Sequence, residues 1–177
     1  MSEIRRINFY GGPGCSKSTT ATAIFSELKK LGHNIEYVSE YIKTWAHQGK
    51  VPKDFDQLYI FGKQLYKEAR ILPHVDYIIT DSPVLLNVCY AGKYRCPYAQ
   101  QCMEIGLQFE ARYPALNIFL DRDGLPYINE GRYENLQQAE DMDDYIYNAI
   151  KDKIDLITFD AVDYYRILEC IKGKING

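Results

Sequence analysis

Several absences bound the reading of this chain. No apolar stretch approaches the length of a membrane span, and no long apolar segment follows Arg5-Arg6 as a secretory leader would require. A net charge of −3 gives no broadly basic face for nucleic acid, leaving room only for a local cationic cleft. The cysteines, Cys15, Cys89, Cys96, Cys102 and Cys170, are odd in number and have no C-x-x-C spacing, which argues against a disulfide framework and for reduced thiols. Cys89, Cys96 and Cys102 lack a fourth ligand at zinc spacing. No repeat, linker or low-complexity tract interrupts the 177 residues, a length that fits one domain over 1–177 with a full core. The expectation is a cytoplasmic protein with no membrane association.

Glycine is also missing at one place where a motif asks for it. Gly11-Gly12-Pro13-Gly14-Cys15-Ser16-Lys17-Ser18-Thr19 lies between the apolar run Ile7 to Tyr10 and a helix-patterned run from Lys17 to Leu31. In the G-x-x-x-x-G-K-[ST] pattern, backbone N–H groups surround phosphate oxygens, the lysine reaches the β and γ phosphates, and the hydroxyl residue holds magnesium. Those roles fall here to Gly12, Pro13, Gly14, Cys15 and Ser16 of the loop, then Lys17, Ser18 and Thr19. Ser16 stands where the second glycine belongs, bringing a Cβ to the closest approach of backbone and phosphate. Without that glycine the spacing recurs by chance in roughly one chain in ten of this length. The order of buried strand, glycine-rich turn and helix N-terminus carries the reading, because the helix dipole favours an anion there.

Further along, Ile35 to Ser39, Val75 to Thr80, Leu116 to Leu120 and Leu156 to Phe159 read as strands. Helical patterns separate them, with Gly32 as a left-handed stop after the first. The second starts at Asp54 as N-cap, turns Phe55, Leu58, Gly62, Leu65, Ala69 and Leu72 inward, and ends at Pro73. Residues 83–113 look helical with an interruption at Lys93 to Tyr98. Near Leu136 a helix resumes whose acidic half, Glu140, Asp141, Asp143 and Asp144, reads as a solvated face. Alternating strands and helices predict an α/β fold of the P-loop NTPase kind, a five-stranded parallel sheet flanked by helices.

Phosphoryl transfer needs positioning and charge compensation more than covalent chemistry. Asp81 follows the apolar run Tyr77 to Ile79 and suits either a magnesium-holding or a proton-accepting role, together with Ser18 as a metal ligand. Glu40 closes the second strand and competes with Asp81 as general base. Arg122 and Arg132 flank a polar loop, where guanidinium groups can pair with phosphate oxygens.

With these residues placed, the chain resembles the small P-loop kinases of the nucleoside and nucleotide kinase group. It also resembles small bacteriophage proteins related to nicotinamide riboside kinases, a set that includes 5-hydroxymethyluridine DNA kinases. Gly11-Gly12-Pro13-Gly14 is similar to the adenylate-kinase form of the loop. Tyr37 to Tyr41, Gln57-Leu58-Tyr59, Ile79 to Pro83, and Pro126-Tyr127 through Gly131-Arg132 extend the resemblance over most of the chain. It implies ATP and Mg2+ as cofactors, served by Lys17 and Ser18, with Glu40 or Asp81 at the acceptor. It also implies an arginine-bearing lid at about 122–135 containing Arg122 and Arg132. The implied acceptor is a hydroxyl of a nucleoside, nucleotide or modified pyrimidine, hydroxymethylated DNA among them, in the host cytoplasm if the protein is phage-encoded. The competing reading is a nucleotide-dependent switch or NTPase without a small acceptor. No clear guanine-reading N-K-x-D segment supports its GTPase form.

Overall fold

A computed structural model describes residues 4–42, 45, 48–50, 52–127 and 135–175. In chain order these form β1 (Arg6–Tyr10), α1 (Lys17–Lys30), β2 (Ile35–Val38), α2 (Asp54–Ile71), a 3-10 turn (Leu72–His74), β3 (Tyr77–Thr80), α3 (Val84–Lys93), α4 (Ala99–Arg112), β4 (Ala115–Asp121), α5 (Leu136–Ile150), β5 (Leu156–Asp160) and α6 (Tyr164–Ile175). All strand pairings are parallel, in the order β2-β3-β1-β4-β5.

The central strand explains the layering. β1 is buried throughout, and successive side chains point to opposite faces. Ile7 and Phe9 pack with Ala21, Ile24 and Leu28 of α1 and Ile167 of α6. Tyr10 packs on the other face with Phe61 of α2, Val84 and Val88 of α3, Phe109 of α4, and Met142 and Ile146 of α5. The sheet therefore separates two apolar layers, as buried parallel sheets do. Gly32, at φ 89°, ends α1 in a Schellman motif. His33 N–H donates to Leu28 O at 3.1 Å and Gly32 N–H to Lys29 O at 3.0 Å.

α2 corrects the expected inward stripe. Phe55, Leu58 and Gly62 are exposed, Phe55 at 71%. Gln57, Ile60, Phe61, Gln64 and Glu68 are buried instead. The expected stripe holds toward the C-terminal end, where Leu72 is buried and Leu65 and Ala69 pack on the core, and fails in the first half, where a polar seam shares the inward face with Ile60 and Phe61. Glu68 pairs with Arg6 Nη1 at 3.3 Å, and Gln64 Nε2 donates to Glu68 Oε1 at 3.2 Å. Arg6 also pairs with Glu110, which accepts from Asn117 Nδ2 at 2.8 Å. The helix N-cap is Lys53 rather than Asp54, with the Lys53 N–H donating to Asp56 Oδ2 at 2.9 Å. Pro73 lies in the 3-10 turn, which delays β3 to Tyr77.

The break between α3 and α4 falls at the expected interruption, where Arg95 takes a left-handed φ of 57°. α5 begins with a reciprocal cap: Gln138 N–H donates to Asn135 Oδ1 at 2.9 Å, and Asn135 N–H to Gln138 Oε1 at 3.0 Å. Among the described residues, no helix is long and apolar enough to cross a membrane. Nor do any three His, Cys, Asp or Glu side chains among them form a group that could hold a metal.

Candidate active site

The strand order makes a cleft. From β1 the chain crosses one face of the sheet through α1 to reach β2, whereas from β3 it crosses the other face through α3 and α4 to reach β4. Connections leaving adjacent strands on opposite faces open a crevice at their carboxyl ends, where α/β proteins bind ligands. Gly11 to Thr19 lies on the β1 side of that crevice and Asp81 on the β3 side. The register supports this, pairing Asn8 with Thr80 and Val38 with Thr80.

The loop's tightness is visible in its backbone. Gly11 has φ 138°, and a Cβ there would meet Leu120 O at 3.0 Å. Ser16, the departure from the motif, takes the left-handed conformation a glycine would take, at φ 54° and ψ 15°, and caps α1 without a side-chain hydrogen bond. The turn is thus retained at the conformational cost of a side chain in that region. Lys17 bends across the loop and donates from Nζ to Gly11 O at 2.7 Å and Gly12 O at 2.6 Å. Ser18 is half-buried at the first turn of α1.

Across the crevice, Asp81 is 4% exposed and organises the strand ends. Its Oδ1 accepts the Glu40 N–H at 3.0 Å, and its carboxylate accepts the Tyr37 hydroxyl. Burial, and then Asp81 itself, push the Tyr37 phenol upward, so it remains a donor. Lys67 of α2 donates to Ser39 O. Burial lowers its pKa, opposed by Asp81, Glu68 and Glu40. Glu40 and Asp81 therefore come together with Tyr37 and Lys67, two residues whose hydropathy pattern gave no signal. Ser82 is buried in a turn, its N–H bonded to Thr80 Oγ1 at 3.2 Å.

Arg122 stands behind the loop. Its Nη2 donates to Pro13 O at 2.8 Å and its Nε pairs with Asp143 Oδ2. Asp143 also accepts the Gly12 N–H and, at 3.2 Å, the Cys15 thiol. The solvated acidic face expected of α5 is thus wrong at this position. Asp143 lies four residues after buried Ala139 and three before buried Ile146, a helical spacing that exposes the error in hindsight. Arg132 and half of the expected lid, residues 128–134, lie outside the described residues.

A parallel sheet with a phosphate-type loop after its central strand and an acidic residue ending the next strand defines a P-loop fold. The chain belongs to the AAA domain family, whose model matches residues 6–164. Among solved structures it is similar to deoxyadenosine kinase from M. mycoides with products dCMP and a flexible dCDP bound, at 19% identity and a TM-score of 0.60, covering 97% of this chain and 98% of that one. The same enzyme with bound dATP is 18% identical, with a TM-score of 0.54 and coverage of 97% and 100%. These likenesses establish the fold. A search of the curated proteins found no match.

Proposed function

We propose that the protein is an ATP-dependent kinase that transfers the γ-phosphoryl group to a hydroxyl of a nucleoside, a nucleotide or a modified pyrimidine, with 5-hydroxymethyluridine in DNA as a specific candidate. The observation carrying this reading is the pairing, across one crevice, of a P-loop lysine and hydroxyl with a carboxylate cluster at the ends of β2 and β3. The similar enzyme's bound nucleotides support a nucleotide-type acceptor.

Lys17 compensates charge on the phosphates, and the loop N–H groups from Gly14 to Thr19 that face the crevice bind their oxygens. Ser18 and Asp81 form a hard oxygen donor set that fits Mg2+, which when bound would neutralise phosphate charge. Glu40 is the acceptor-side base, because Asp81 is nearly buried and already accepts two hydrogen bonds whereas Glu40 is half-exposed. Arg122, anchored to the loop through Pro13 O and paired with Asp143, keeps that carboxylate compensated beside the phosphates, and Arg132 is the lid cation. An aromatic group that includes Tyr41, next to Glu40 in sequence, could stack on a nucleobase: Trp45 stacks on Tyr59 at 6.4 Å and 22°, and the Tyr41 and Tyr59 hydroxyls lie 2.9 Å apart.

Phosphate transfer from labelled ATP to a panel of nucleosides, nucleotides and hydroxymethylated DNA tests the assignment. Glu40→Gln is expected to lower kcat on the accepted substrate by about a hundredfold or more, as loss of a general base does. Transfer at the wild-type rate by Glu40→Gln would remove it from that role. ATP hydrolysis that no acceptor accelerates would favour the switch or NTPase reading.

A further inference from the structure

Asp143 stands outside the phosphate loop in sequence but bonds to it at two points. Its Oδ1 accepts the backbone N–H of Gly12 and, at 3.2 Å, the Cys15 thiol, while its Oδ2 pairs with Arg122. Arg122 closes the circuit by donating to Pro13 O at 2.8 Å. We infer that Asp143 is a positioning residue for nucleotide binding, tying α5 to the loop and holding Gly12, Cys15 and Arg122 in the arrangement that receives phosphate.

Three independent features support this. The first is contact. A Cβ on Gly12 would lie 2.7 Å from Asp143 Oδ1 and 2.8 Å from Ala139 O, so only glycine lets the loop sit this close to α5. The second is rigidity on the helix side. The Asn135 and Gln138 cap fixes where α5 starts, and buried Ala139, Met142, Ile146 and Ile150 fix its rotation. The third is charge. A carboxylate beside a phosphate loop repels the ligand unless it is compensated, and the Arg122 guanidinium compensates it at a site where both side chains are largely buried, 13% and 14% exposed. Cys15 is consistent with its place as donor: burial pushes its thiol up to about 12, Lys17 opposing and Asp143 adding to the shift, so it keeps its proton at neutral pH.

This inference rests on the reading of the loop as a nucleotide site, and two readouts separate their failures. Iodoacetamide labelling of Cys15, followed by peptide mass, needs no nucleotide. Steady-state kinetics give KM for ATP and for the acceptor. The variants are Asp143→Ala and Asp143→Asn, the second keeping size and an acceptor oxygen, with Asp141→Asn on the exposed side of the same helix as control. Both Asp143 variants are expected to label Cys15 about tenfold faster and to raise KM for ATP about tenfold, leaving the acceptor KM unchanged. Asp141→Asn is expected to match wild type in both. Wild-type labelling and wild-type KM for ATP in a folded Asp143→Asn would overturn the inference, as would equal increases in both KM values, the mark of general loosening. Failure of the wild-type protein to bind ATP would instead remove the nucleotide reading, leaving the labelling result to decide the tie itself.

Discussion

Ser16 carries two facts that pull in different directions. A glycine is missing from the motif, yet the backbone adopts the left-handed turn that glycine would supply, at φ 54°. Serine in that region is strained by roughly 1 kcal/mol relative to glycine. Ser16→Gly should therefore raise unfolding stability by about 1 kcal/mol, partly offset by the greater entropy of glycine in the unfolded chain. Urea denaturation of the two proteins checks this, and a lower midpoint for Ser16→Gly would contradict the strain. The missing glycine was legible in the sequence, whereas the retained turn was not, because a left-handed serine leaves no composition signal. Asp143 was illegible for another reason: it is one of four acidic residues in a short stretch, and only its helical phase with Ala139 and Ile146 distinguishes it. Lys17, Glu40 and Asp81 are legible as candidates from motif or strand-end position and lie at the carboxyl edge of one sheet, whereas Arg122, expected in a lid, is instead tied to Pro13 O and Asp143 behind the loop.

Among the elements, α2 shows how a buried polar seam defeats a hydropathy pattern. Its inward face carries Gln57, Gln64 and Glu68, while Phe55, Leu58 and Tyr66 look outward. Glu68 and Gln64 find partners in Arg6 of β1 and Thr80 of β3, outside the helix, so a single-helix periodicity cannot reveal them. Glu68 is wholly buried against Arg6, which also pairs with Glu110 and lies 4.6 Å from the Phe109 ring centroid. Removing one member of such a pair leaves a buried charge short of compensation, typically costing about 3–5 kcal/mol. Glu68→Ala is expected to cost about 3 kcal/mol, at the low end of that range because Glu110 remains. Chemical denaturation that moved the unfolding free energy by less than about 1 kcal/mol would show that Glu110 alone satisfies Arg6. The first helix is easier to read: its expected run to a Gly32 stop holds in the structure, with Ala21, Ile24 and Leu28 buried at helical spacing.

For the whole molecule, the alternation of strands and helices was enough to give the fold class, since each strand run found its place in a five-stranded parallel sheet. The spatial order β2-β3-β1-β4-β5 was not, because nothing in local pattern says which strands are neighbours. That order matters most for function, as it sets the phosphate loop opposite Asp81 and brings Glu40 beside it through the Glu40 N–H bond to Asp81. The central claim is that this crevice moves a phosphoryl group from ATP to an acceptor hydroxyl with Lys17 compensating the charge. Transfer of labelled γ-phosphate to the best acceptor of the panel, compared between wild type and Lys17→Ala, tests it most directly. Transfer by the wild type and a loss of about a hundredfold or more in kcat/KM for Lys17→Ala is the expected result. Undiminished transfer by Lys17→Ala, or no transfer by the wild type to any acceptor, would contradict it.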